Sequence, residues 1–194
     1  DPLSTITPDN STAGCSPATF DFDVSMEAHD SYYLVEWNFG DGETAQGESA
    51  QHTYTNAGTY NVSINIMTMH GCHFSKNYPN RIKVFETPNA EIDFDYNICL
   101  GTEQVLTSEV TGSSIWHEWD FGDGTIVLGH NNATSHQYEQ AGRYTITHIA
   151  SLHDNGVAVC SDTATYIDAV NVENIVTATF SLDSLSYNCY PVCP

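Results

Sequence analysis

The sequence predicts an all-β protein in which two similar β-sandwiches follow one another and a third begins, and three observations lead there. The first is a repeat: Trp37-Asn38-Phe39-Gly40-Asp41-Gly42 returns 82 residues later as Trp119-Asp120-Phe121-Gly122-Asp123-Gly124. His52-Thr53-Tyr54 and Ala57-Gly58-Thr59-Tyr60 follow the first copy, and His136-Gln137-Tyr138 and Ala141-Gly142-Arg143-Tyr144 follow the second, with 6 residues from one tyrosine to the next each time. A period of this size is one small domain, not a solenoid unit. The second observation is alternation of apolar and polar residues at period two, the mark of strands buried on one face. The third is that no stretch sustains a 3.6-residue period, so no helix of note is expected. The 194 residues divide on this reading into 1–86, 87–173 and 174–194, and about 85 residues suffice for each of the first two to own a core.

Each element follows from its residues. Positions 1–14, rich in Pro, Ser, Thr and Asn, read as a lead-in or a short first strand. Thr19-Phe20-Asp21-Phe22-Asp23-Val24 alternates, which turns Phe20, Phe22 and Val24 inward and leaves Asp21 and Asp23 on the wet face. Tyr33, Val35 and Trp37 form the inward row of the next strand, and Gly40-Asp41-Gly42 ends it in a turn that the Asp41 carboxylate caps. Tyr60, Val62, Ile64 and Ile66 make the clearest alternating strand, Met69-His70-Gly71 a hairpin turn, and Ile82-Lys83-Val84-Phe85 the end of the last strand. Thr87-Pro88 is a short, stiff joint. The second repeat follows the same plan: Ile92, Phe94 and Tyr96 in a first strand, Val105 in a second, Ile115 to Phe121 in the Trp strand, Tyr144 to Leu152 in the sixth. Asp154-Asn155-Gly156 then signals a hairpin.

Trp-x-Phe-Gly-Asp-Gly, then His-x-Tyr, then Ala-Gly-x-Tyr opening an alternating strand, twice over, resembles the polycystic kidney disease (PKD) domain family across residues 15–86 and 89–173. A third copy opens near Ala178-Thr179-Phe180. The resemblance implies immunoglobulin-like β-sandwiches of an extracellular protein, arranged head to tail. The cysteine placement is similar to tandem repeats in large secreted or surface proteins of Bacteroidota-type bacteria. On the same resemblance His52 and His136 bond backbone near the Trp-strand turn. Tyr60, and Tyr144 at the matching place, resemble a tyrosine corner with ring packed and hydroxyl bonded to backbone.

Charge narrows the partners. Lys and Arg total 4 against 25 Asp and Glu, a formal charge of −21, which argues against nucleic acid and against anionic lipid. The excess acid reads as a solubility device for an extracellular chain, or as a cation-binding or salt-tolerant surface. No apolar run of about 18 residues is present, so no membrane insertion is expected. No signal peptide is visible between Asp1-Pro2 and Cys193-Pro194, and the chain reads as an interior piece of something longer.

The sequence carries no sign of catalysis, since Gly-x-Ser-x-Gly, His-Glu-x-x-His and phosphate-cradling glycine loops are missing. Asp21/Asp23 and Asp93/Asp95 are each co-facial and could hold calcium with a third oxygen ligand; otherwise they are a solvated face, and no other cofactor is expected. Aligning the repeats puts His117 where the first has Val35 and His148 where it has Ile64, on inward rows of adjacent strands. They read as satisfied core histidines, as a strand bulge, or as a pH-sensitive spot. Trp116 stands where the first repeat has Leu34, on the opposite strand face from Trp119. It is a stacking platform for a sugar or a partner protein, or it packs beneath a loop or against a neighbouring repeat. Asn10-Ser11-Thr12, Asn61-Val62-Ser63 and Asn132-Ala133-Thr134 match N-glycosylation acceptors, and Asp162-Thr163-Ala164 and Asp183-Ser184-Leu185 resemble a bacterial O-glycosylation pattern.

Six cysteines, Cys15, Cys72, Cys99, Cys160, Cys189 and Cys193, suggest disulfides in an oxidising compartment, and none has zinc-knuckle spacing. Counting pairs Cys15 with Cys72 and Cys99 with Cys160. The immunoglobulin-like frame implied above sets the members of each pair at opposite poles, further apart than the roughly 4.4–6.8 Å a disulfide spans. Head-to-tail stacking brings Cys15 toward Cys160 instead, leaving Cys99 for the third repeat and Cys72 for a preceding one. Both patterns stay open. The expected function is a non-catalytic structural or adhesive segment, a stiff spacer or shaft of a long bacterial surface protein or fibre. Its partners would be neighbouring repeats, other copies in a fibre or bundle, or surface glycans. The alternative is a glycan-binding accessory module of a secreted hydrolase.

Overall fold

The computed structural model describes residues 3–8, 12–26 and 32–174. The expected third repeat with Cys189 and Cys193, and the motifs at Asn10 and Asp183, lie outside the described residues. In chain order the strands are β1 (Leu3–Thr7), β2 (Thr12–Cys15), β3 (Ala18–Met26), β4 (Tyr32–Asn38), β5 (Thr44–Gln46), β6 (Ser49–Tyr54), β7 (Gly58–Thr68) and β8 (His73–Phe85). They continue as β9 (Ile92–Asp93), β10 (Asn97–Cys99), β11 (Glu103–Ser108), β12 (Ile115–Asp120), β13 (Ile126–Gly129), β14 (Ala133–Gln137), β15 (Gly142–Asp154) and β16 (Val157–Glu173). No helix occurs among the described residues. Two compact units divide between Thr87 and Pro88.

The two units have one topology. In the first, a three-stranded sheet ordered β1-β3-β6 accompanies a five-stranded sheet ordered β2-β8-β7-β4-β5; in the second, β9-β11-β14 accompanies β10-β16-β15-β12-β13. All pairings are antiparallel except β2 on β8 and β10 on β16, which are parallel. Each unit is an immunoglobulin-like sandwich whose inner rows are the alternating apolar residues. Phe22 and Val24 of β3, Val35 and Trp37 of β4, Val62, Ile64 and Ile66 of β7, and Ile82 and Val84 of β8 fill the first core, with Phe20 partly buried against them. Asp21 and Asp23 stay exposed. Leu106, Trp119, Phe121, Ile146, Val170 and Val172 fill the second. Each such side chain withdrawn from water contributes about 1.5–3 kcal/mol.

Several details depart from the sequence expectation. Phe94 and Tyr96, expected in a first strand with Ile92, lie beyond β9, which ends at Asp93 as the chain runs to β10 on the other sheet, and Tyr96 is exposed. Strands β8 and β16 run for 13 and 17 residues. Their first halves are mostly exposed arms of long hairpins held by ladder bonds, so no apolar alternation announces them. Each final strand also carries a bulge at one matching place. Asn80 and Asp168 have φ of 52° and 51°, where the ladders skip between Tyr60 and Val62 and between Tyr144 and Ile146. The Asp154-Asn155-Gly156 turn forms as expected, with φ of 51° at Asn155 and 80° at Gly156, the pair of positive values a two-residue hairpin turn demands.

Candidate functional site

The twice-repeated landmarks assemble into one constellation per sandwich. Asp41 Oδ1 accepts the Glu43 N–H at 3.0 Å, capping the turn, and Asp41 Oδ2 lies 2.6 Å from His52 Nε2. The His52 ring lies flat on Phe39, 4.1 Å between centroids, and edge-on to Tyr54. Tyr54 donates its hydroxyl to the Phe39 carbonyl at 2.9 Å and stacks on Tyr60, which donates to the Asn56 carbonyl at 2.8 Å. The second repeat copies this arrangement: Asp123 caps Thr125 N–H at 2.9 Å and meets His136 Nε2 at 2.6 Å, while Tyr138 bonds the Phe121 carbonyl and Tyr144 the Gln140 carbonyl. His52 and His136 were expected to bond backbone; they bond the aspartate of the glycine turn instead. Stacking on Phe39 and Phe121 aims each imidazole edge at the carboxylate, and a charge-assisted bond is the stronger one.

This arrangement closes a turn. Burial alone would raise the Asp41 carboxyl, but the bonds from His52 and the Glu43 amide outweigh it and hold the group below the usual range; Asp123 behaves alike. Burial pushes the Tyr54 and Tyr138 phenols up, so both remain donors. Gly40 and Gly122 explain the motif's first glycine: at φ of 85° and 79°, a Cβ would sit 2.3 Å from the Asn61 or the Thr145 carbonyl oxygen. Trp37 donates its indole N–H to the Gly47 carbonyl at 2.9 Å.

His117 and His148 do meet. Both are buried in the second core, with Nδ1 of His117 2.9 Å from Nε2 of His148. The Trp119 indole stacks on both, 4.0 Å from the His148 ring and 5.5 Å from His117. The tautomers follow from one acceptor. His148 Nδ1 lies 2.7 Å from the Ala90 carbonyl, which only accepts, so that nitrogen carries the proton and Nε2 is bare. His117 must then donate through Nδ1, and its own Nε2 is a buried acceptor without a partner among the described residues. Burial, then the charges of His148 and His130, push His117 down to about 4. Burial likewise lowers His148, against the opposing pull of the Ala90 carbonyl and Asp162.

Trp116 points away from that core, onto the outer face of β12 opposite Ser151. The His130 ring meets it edge-on at 4.7 Å and the His153 ring tilts toward it at 6.2 Å. Together with Ser113, Ser114, Asn155 and Gly156 these side chains line a recess of about 390 Å³. His130 Nδ1 lies 2.7 Å from the Ile115 carbonyl and so donates to it. The two flanking histidines, just after β13 and within β15, carry no motif or spacing that marks them in the sequence.

The remaining candidates are more dispersed. Among the described residues no three His, Cys, Asp or Glu gather as a metal site, and Asp21 Oδ1 accepts from Gln51 Nε2 at 2.8 Å. Of the glycosylation candidates, the Asn61 side-chain oxygen accepts the Asn80 N–H at 2.8 Å, Asn132 donates to the Ser108 carbonyl at 3.0 Å, and Thr163 is exposed. Cys15, Cys99 and Cys160 are disulfide-bonded. Cys72 is a free, exposed thiol; its expected bridge to a preceding repeat falls outside this chain, and the Cys15–Cys72 pair is removed. Distance explains this. Cys15 is opposite Phe85, the last residue of β8, and Cys72 immediately precedes the first of its 13 residues, about 40 Å of strand. The ladders place Cys99 and Cys160 alike, opposite Glu173 and near the start of β16.

The description of the PKD domain matches residues 1–84 and 85–167. Polycystin-1 of Homo sapiens is 32% identical over 120 residues, which make up 59% of this chain and 3% of that protein. The chain thus spans a small part of the curated relative it matches. Among solved structures, the fibronectin(III)-like modules of Clostridium thermocellum CbhA are similar at 16% identity, covering 88% of this chain and 94% of that one with a TM-score of 0.40. The amphioxus IgVJ-C2 molecule is similar at 13% identity, covering 82% and 100%, with a TM-score of 0.37.

Proposed function

Because the chain belongs to the PKD domain family, in two tandem copies, we propose that it is a non-catalytic extracellular segment that sets distance and bears load, the spacer or shaft of a longer surface protein. The observation that carries this reading is where the repeated side chains go. Asp41, His52, Tyr54 and Tyr60, and their counterparts Asp123, His136, Tyr138 and Tyr144, are bonded within their own sandwich. Each imidazole and carboxylate is thus occupied in closing its own turn. Cysteines engaged in disulfides support an oxidising compartment.

The disulfides of Cys15, Cys99 and Cys160 support the load-bearing part of the reading, because a bridge typically adds about 2–4 kcal/mol by constraining the unfolded chain. Thermal unfolding with and without reductant tests it. A midpoint lowered by reduction is expected, and an unchanged midpoint would remove the disulfides from the load-bearing account.

A further inference from the structure

We propose that the recess around Trp116 is a binding site for a neutral carbohydrate, taking one or two sugar units of a glycan chain. This goes beyond the spacer reading and does not depend on it. The chain has 3 tryptophans; Trp37 and Trp119 are buried in the cores, and Trp116 alone borders a recess. Trp116 is only partly buried, so its ring keeps a face that a ligand can stack on. Here the His130 and His153 rings brace it from two sides, so a flat wall is already formed before any ligand arrives.

The polar atoms around that wall suit hydroxyl groups. Ser113 and Ser114 offer hydroxyls, Asn155 an amide and Trp116 an indole N–H. His130 spends Nδ1 on the Ile115 carbonyl and leaves Nε2 for a ligand. This mixture of donors and acceptors beside an apolar face matches a pyranose, which has C–H faces and a rim of hydroxyls; an apolar ligand would leave the polar atoms unpaired. Charge points the same way. The chain carries 25 Asp and Glu, yet none of the recess residues is Asp, Glu, Lys or Arg, so no permanently charged side chain lines it and an anion meets the repulsion of the whole molecule. At about 390 Å³ the recess is within the range of roughly 300–1,000 Å³ usual for small-ligand sites. At the place of Trp116 the first repeat has Leu34, so the indole wall belongs to the second repeat.

The test is calorimetric titration of the whole chain with cello-, xylo-, manno- and chito-oligosaccharides, with polygalacturonate as the charged control and tryptophan fluorescence as a second readout. Saturable binding of at least one neutral oligosaccharide is expected. Trp116→Ala should weaken it by about tenfold or more with circular dichroism unchanged, Trp116→Phe should keep part of it, and His130→Ala and His153→Ala should each weaken it several-fold. Absence of binding to all four neutral series by the folded chain overturns the proposal. So does binding that Trp116→Ala leaves intact, or polygalacturonate bound as tightly as the neutral sugars.

Discussion

Gly40 and Gly122 sit where the backbone of β7 or β15 comes so close that a methyl group has no room, while Gly42 and Gly124 face open space at φ of 104° and 96°. The two glycines of one turn therefore differ in cost. Gly122→Ala should destabilise the second sandwich by about 3 kcal/mol or more, from collision added to the left-handed strain, and Gly124→Ala by about 1–2 kcal/mol from strain alone; urea unfolding of the two variants checks the order. The His117–His148 pair gives a pH dependence with a definite sign. Its pKa values are depressed in the folded protein, so the unfolded chain takes up protons first as pH falls. The contribution is complete above the ordinary value of 6.5 and is lost between there and about 4 for His117. At 1.36 kcal/mol per unit the loss from His117 reaches about 3 kcal/mol. Replacing the pair with their first-repeat counterparts, His117→Val with His148→Ile, should flatten the fall in unfolding midpoint between pH 7 and pH 4.5. An equal fall in both proteins would show that the pair does not govern it.

At the scale of elements, the edge strands separate the repeats. β5, Thr44-Ala45-Gln46, is polar, whereas β13 exposes Ile126 and Leu128 at 53% and 56% beside an unpaired backbone edge. An apolar edge of this kind pairs with other strands unless charge keeps them away, and at −21 the chain repels its own copies. Salt screens that repulsion. Light scattering of the native protein should rise with ionic strength, and Leu128→Lys should suppress the rise; an unchanged rise would place the contact elsewhere. The same scale shows what the sequence could disclose. Strands buried on one face write a period of two, so Phe22, Val24, Val35, Trp37 and Ile64 were legible. The first halves of β8 and β16 are mostly exposed, with Cys160 buried and Phe74 and Tyr78 partly so, and so offer no apolar alternation to read. Asp41 and His52 recurred together as Asp123 and His136, which signalled a shared task. Their bond to each other depended on how Phe39 and Tyr54 orient the ring, and that is a matter of packing.

For the whole molecule the claim is that each repeat is a self-sufficient sandwich that resists extension. Each unit owns a separate core and its own Asp–His–Tyr closure, so one can unfold while its neighbour stands. Single-molecule pulling of the reduced chain tests this most directly. Two separate unfolding events are expected, each releasing about 30 nm from roughly 85 residues. One cooperative event of double length, or extension without measurable resistance, would contradict it.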